Sequence, residues 1–146
     1  MDEGSERSPA SILVQRRIEW PDTDASGHWH NTAAFRLIEV AETALLERIG
    51  LLDEIYGRLP RVHITADFQR LLMFRDLLDC HIVVAHIGRT SITYHFEIRR
   101  DDEVCVTAEV VATLLTQDGQ PTEWLETHRD RLMGAGPQSP ELLTVS

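Results

Sequence analysis

The chain has 146 residues, 42% of them hydrophobic and 26% charged, and a formal net charge of −10. That length suits one domain, in which roughly two-thirds of the unfolded chain's surface can be buried. The acidic balance argues against nucleic acid and anionic membranes as partners, because phosphates are repelled at long range. All the basic residues are Arg, whose guanidinium can still fork onto a single phosphorylated ligand.

Residues 1–10, MDEGSERSPA, are small and charged and are expected to form a disordered tail. They contain no apolar core of a secretory leader. No run approaches the ~18 apolar residues of a membrane span, so the expected location is cytoplasmic. Residues 12–20, ILVQRRIEW, alternate: Ile12, Val14, Ile18 and Trp20 share one face, interrupted by Arg16. This is the pattern of a strand with one buried side. A polar stretch follows, and from Asn31 the period changes. Ala34, Leu37, Ile38, Ala41, Ala44, Leu45 and Ile49 recur at steps of three and four, predicting a long amphipathic helix with Asn31 as N-cap and Gly50 as C-cap. Strands are then predicted over 62–71, 79–87, 91–99 and 104–116, punctuated by the turn signals GRTS, RRDDE and QDGQ. Cys80 and Cys105 fall in apolar strand runs and read as small buried hydrophobes. A short helix near 123–133 and a Gly/Pro-rich end complete a peripheral C-terminus. The expected organisation is a tail over 1–10, one domain over 11–134 and a flexible tail over 135–146. A single helix must cover one apolar face of the sheet, which gives an α+β fold. It leaves apolar surface over, so a homo-oligomer is expected.

The stretch between the first strand and the helix, WPDTDASGHWHN at 20–31, fits neither period. Asp22 and Asp24 are compatible with loop capping, since Asp is common in turns and before helices. His28 and His30 with Asp24 are compatible with a metal site, although no fourth ligand is apparent.

Taken together, the order of elements and these motifs resemble the hot-dog-fold thioesterases, particularly the 4-hydroxybenzoyl-CoA thioesterase-like branch, over about Val14 to Met133. The family pattern is a strand ending in an aromatic residue, then D-x-D-x-x-G, then a helix bearing an acidic residue; here these are Trp20, Asp22-Thr23-Asp24, Gly27 and Glu39. The G-H-x-N-N continuation of some members is GHWHN here. ITADFQRLLMFRD and HIGRTSITYHFEIRRDDEV resemble the second-strand motif and the following hairpin. Four positions depart from the pattern: Leu71 and Arg75 replace a common Pro and Gly, His30 replaces the first Asn, and Ala34 replaces an aromatic residue. These departures are expected to reshape an acyl pocket.

The resemblance implies a five-stranded, mostly antiparallel sheet wrapped around one long helix, a homodimer or homotetramer, and hydrolysis of an acyl-CoA or acyl-carrier-protein thioester without metal or cofactor. It implies Asp24 as nucleophile or general base, with the N–H groups of residues 28–31 at the helix start polarising the thioester carbonyl. His28 and Asn31 join it in the catalytic group, and Asp22 is taken as structural. Glu39 is an alternative base, or a partner that holds the loop across a subunit boundary. Gly27, Trp29 and His30 are expected to line the substrate, Arg70 and Arg75 to serve a nucleotide end, and Arg89, Thr90 and Ser91 to contact phosphate or pantetheine unless they form a plain turn. The histidines on strands, His63, His81, His86 and His95, are expected to be core or surface residues. The alternatives are a hydratase or dehydratase on the same fold, whose loop and helix motif is not found, and a non-catalytic acyl-CoA-binding module.

Overall fold

A computed structural model describes residues 8–138. Its elements are β1 (Ser11–Arg17), α1 (Ala33–Arg48), α2 (Leu52–Ile55), β2 (Arg61–Phe68), β3 (Leu77–Ile87), β4 (Ser91–Arg100), β5 (Glu103–Thr113) and α3 (Glu126–Gly134). The strands form one sheet in the order β1-β3-β4-β5-β2, and all neighbouring pairs are antiparallel. The expected hot-dog arrangement is therefore present, with a sheet antiparallel throughout. The connection holding α1 leaves one edge strand and returns at the other, so the helix lies across one face.

That face is built from residues of matching parity. Ile12, Ile82, Phe96 and Ala108 form one row across β1, β3, β4 and β5, and Val14, Cys80, Ile98 and Val106 form another. All are buried, as are Ala34, Leu37, Ile38, Ala41 and Leu45 of α1. The two alanines bring the helix backbone close to the sheet. Truncating one of the large residues to Ala would cost about 3 kcal/mol. The outer face is polar. His81, His95, Glu97 and Glu109 lie there, and His95 Nε2 stands 3.5 Å from Glu109.

Several expectations are corrected. β1 ends at Arg17, and Trp20 lies in a single 3-10 turn (Trp20–Asp22) with 63% of its surface exposed. Pro21 enforces that turn, so Trp20 leaves the buried face and packs edge-on against Phe74, ring centroids 5.4 Å apart. The N-cap of α1 is Thr32, not Asn31. Gly50 sits one residue past the C-cap Ile49, with φ +78°. The Gly50 and Leu51 N–H groups bond the Glu47 and Leu46 carbonyls at 3.1 and 2.9 Å, which closes the helix as a Schellman motif. Val104 shares the parity of the buried Val106 and Ala108 but is only half-buried, because a bulge between Ile98 and Arg99 shifts the register and pairs it with Arg99. β2 is an edge strand beyond full cover of the helix, so Val62 and Phe68 stay 59% and 38% exposed.

The C-terminal part is not peripheral: Trp124 and Leu132 are core residues, and Trp124 Nε1 donates to the Ser91 carbonyl at 2.9 Å. Packing also runs past the expected domain borders. Ala10 is fully buried, and the Arg48 guanidinium collects the carbonyls of Ser11, Ala135, Gly136 and Pro137. Most of the expected tails, 1–7 and 139–146, lie outside the described residues. Among the described residues no helix is long and apolar enough to cross a membrane.

Candidate active site

The segment between β1 and α1 folds as a small hairpin tied down on several sides. The Asp24 N–H donates to the His28 carbonyl at 2.8 Å, and the Gly27 N–H to the Asp24 carbonyl at 3.1 Å. Gly27 has φ +87°, with open space where a Cβ would stand; backbone conformation, and not crowding, calls for glycine there. The β2–β3 connection clamps the hairpin: Trp29 N–H to Leu72 O at 2.9 Å, Phe74 N–H to Gly27 O at 3.1 Å, and a bridge between His28 and Met73.

Asp22 is 8% exposed. Its carboxylate accepts the Glu19 N–H at 3.0 Å and both Arg36 Nε and Nη2, at 3.2 and 2.7 Å. It closes the 3-10 turn and ties the loop to α1, which is the structural role given to it. Asp24 is exposed. Its Oδ1 accepts the Ser26 N–H at 2.8 Å and the Ser26 hydroxyl at 2.5 Å. These donors, with the side-chain bond first, hold its carboxyl below the usual value, and His30 and His28 add smaller pulls in the same direction. Ser26 Oγ also stands 3.0 Å from His28 Nδ1. The carboxylate is thus ionised, fixed and open to solvent.

The helix start is narrower as an anion site than expected. The N–H groups of His28, Trp29 and His30 are bonded to Ser26 Oγ, Leu72 O and Asp22 O. Those of Ala33, Ala34 and Phe35 are bonded within the first turn. Among the described residues, the Asn31 and Thr32 N–H groups have no acceptor. These two, at the positive end of the helix dipole, can receive a developing oxyanion.

The fold brings Asp24, Gly27, His28 and His30 together, with Asn31 closing the loop. Trp29 is 5% exposed and packs in the core. Glu39 lies about 9 Å along the helix from Ala33 at the usual rise, and is ion-paired at 3.5 Å with Arg61. It borders a cleft of about 500 Å³ with Glu42, Thr43, Leu46, Ile55 and Arg61. Arg75 is exposed beside the loop, held with φ +78° and with its N–H on the Ile18 carbonyl. Arg70 bonds Glu103 at 2.7 Å. Arg89 pairs with Glu123 at 3.0 Å. Arg89, Thr90 and Ser91 follow Ile87, the far end of β3 from Leu77, and so lie roughly 30 Å from the loop within one chain. Among the described residues no three His, Cys, Asp or Glu side chains gather as a metal site.

Sequence reasoning missed Ser26, whose signal is its place two residues after Asp24, where an Asx turn forms. It also missed Glu42. That carboxylate is 5% exposed and paired with Arg61; burial pushes its carboxyl up while Arg61 pulls it down.

A model of the thioesterase superfamily matches residues 26–107, more than half of the chain. The match begins at Ser26, two residues past Asp24, so it carries the family and not the role of that carboxylate. A 1,4-dihydroxy-2-naphthoyl-CoA hydrolase of Prochlorococcus marinus (strain MIT 9303) is 29% identical over 109 residues, 66% of this chain and 72% of that one. Two solved structures are similar in fold. The predicted thioesterase from Bacillus stearothermophilus has TM-score 0.77 at 21% identity, covering 84% of this chain and 94% of its own. A 1,4-dihydroxy-2-naphthoyl-CoA thioesterase from Synechocystis has TM-score 0.75 at 17% identity, covering 84% and 95%.

Proposed function

This chain belongs to the thioesterase superfamily, and we propose that it hydrolyses the thioester of an acyl-CoA with Asp24 as the centre of the reaction. The observation that carries this is an exposed, ionised carboxylate on a rigid loop that runs directly into a helix N-terminus with two unpartnered N–H groups. Thioester hydrolysis needs an attacking group or a base, and donors for the oxyanion. Asp24 supplies the first as base or as nucleophile. The Asn31 and Thr32 N–H groups supply the second, and losing one such donor costs about 3–4 kcal/mol of barrier. The thiolate leaves readily, so no strong acid is required.

Two relatives act on 1,4-dihydroxy-2-naphthoyl-CoA, which makes a hydroxylated aromatic acyl group the first to test. Exposed Arg75, beside the loop and without an ion-pair partner among the described residues, is suited to the phosphates of CoA. The Arg89 hairpin can reach the site only from a second copy. The exposed Val62 and Phe68 of edge strand β2 favour that edge for such a copy, since the β1 edge is occupied by Gly136 and Gln138.

The test is free-thiol release from a panel of acetyl-, hexanoyl-, palmitoyl-, benzoyl- and 1,4-dihydroxy-2-naphthoyl-CoA. Turnover of at least one is expected, the aromatic esters fastest. Binding of these thioesters without any thiol release would replace the enzyme by an acyl-CoA-binding module.

A further inference from the structure

Ser26 stands between the two titratable side chains of the loop, its Oγ 2.5 Å from Asp24 Oδ1 and 3.0 Å from His28 Nδ1. A hydroxyl has one proton to donate and an ionised carboxylate has none. The Ser26 proton therefore lies toward Asp24. The contact with His28 then forms only if Nδ1 carries hydrogen and donates to Ser26 Oγ. The neutral ring keeps its lone pair on Nε2. Donation runs one way, from His28 Nδ1–H to Ser26 Oγ–H to Asp24 Oδ1, and the Ser26 N–H adds a second donor on the same oxygen at 2.8 Å. This is not the arrangement of a serine nucleophile, whose hydroxyl must donate to the imidazole.

We propose, resting on the assignment of the chain as a thioester hydrolase centred on Asp24, that Asp24, Ser26 and His28 act as one unit in which His28 Nε2 takes the proton of the attacking water and Ser26 is the positioning residue that couples the ring to the carboxylate. The water oxygen bonds to the carbonyl carbon as its O–H bond breaks and the proton passes to Nε2. The carbonyl π pair moves to the oxygen facing the Asn31 and Thr32 N–H groups. It returns as the C–S bond breaks, and sulfur departs with its electron pair. The imidazolium proton then goes to the thiolate, giving acid and thiol and restoring the neutral ring. The positive ring formed midway is balanced through Ser26 by the Asp24 charge. Of the roles open to Asp24, the two donors on its Oδ1 weaken that of direct base, so in this unit the ring takes the proton and the carboxylate balances its charge.

The charged and titratable groups around His28 are few. Its own loop carries Asp24 and His30. The segment clamped onto it carries Arg75, exposed, and Asp76, whose carboxylate accepts the Met73 N–H and pairs with Arg100. Glu19 borders the preceding turn, and Arg36 of α1 is engaged by Asp22. Of these, Asp24 alone lies in the donation chain.

The test combines pH–rate profiles with a direct view of the ring, using the acyl-CoA of the panel turned over fastest. In the wild type, kcat/KM is expected to show an acidic limb. Ser26→Ala is expected to lower kcat about a hundredfold, the scale of acid–base catalysis, and to displace that limb. Ser26→Thr, which keeps a hydroxyl, should restore most of the rate, and His28→Gln should abolish the limb. Nitrogen NMR of the wild type should show the His28 Nδ1–H tautomer at neutral pH. A Ser26→Ala profile superimposable on wild type, or an Nε2–H tautomer, overturns the coupling. Those results with Asp24→Asn still inactive would leave the hydrolase assignment standing; an active Asp24→Asn would remove the assignment itself.

Discussion

Asp22→Ala tests whether the loop is held as described. The carboxylate is 8% exposed and accepts three hydrogen bonds, one from the Glu19 N–H and two from Arg36. Loss of the backbone bond, equivalent to loss of a helix cap, costs about 1 kcal/mol. The Arg36 pair has one well-buried and one open partner, since the Arg36 side chain is 44% exposed; solvent screening limits it to about 1 kcal/mol. The sum is about 2 kcal/mol. Arg36→Ala should cost about 1 kcal/mol, and the double variant should show a coupling of similar size. Urea unfolding followed by tryptophan fluorescence measures all three, with the slope against denaturant unchanged. Thioester hydrolysis should fall further than stability, because the hairpin carrying Asp24 is freed from α1. A change below about 0.3 kcal/mol, or no coupling between Asp22 and Arg36, would refute the tie.

The Glu42–Arg61 pair gives a second stability test. Glu42 is 5% exposed and the Arg61 side chain 24%, so Glu42→Ala should destabilise by about 2 kcal/mol by leaving the guanidinium with only the exposed Glu39 as partner, whereas the double Glu42→Leu, Arg61→Leu should lose less; equal losses would contradict this. Ser26 holds the Asp24 carboxyl below its unfolded value of 3.8. The associated stabilisation is therefore present at neutral pH and lost as pH falls below that value, and Ser26→Ala should move the Asp24 titration upward in carbon NMR. Cys80 and Cys105 are fully buried, and burial pushes the Cys80 thiol up to about 12. A thiol reagent should find neither in the folded protein and both in concentrated urea, which native labelling would disprove.

Periodicity made the sheet and helix legible because each buries one face. Ile92, Tyr94, Phe96 and Ile98 alternate as a half-buried strand must, and Leu37, Ile38, Ala41 and Leu45 recur as a helix must. What escaped lies where a local event interrupts the period. A bulge shifted Val104 out of register, a proline turn carried Trp20 off its strand, and the backbone bond of Trp29 runs to Leu72, distant in sequence. Asp24 is a candidate through its motif. Ser26 was not legible, because a serine between Asp and Gly is an ordinary loop residue until its hydroxyl is seen 2.5 Å from Asp24. Glu42 escaped for a similar reason: the Arg61 that compensates its burial is nineteen residues away in sequence.

The most direct measurement is free-thiol release by Asp24→Asn on the same acyl-CoA panel, with circular dichroism and melting as controls. Asp24 is exposed and contributes no core packing, so the variant should fold as wild type and release no thiol above the uncatalysed rate. Turnover equal to wild type by the folded variant would contradict the assignment of Asp24 as the reaction's centre.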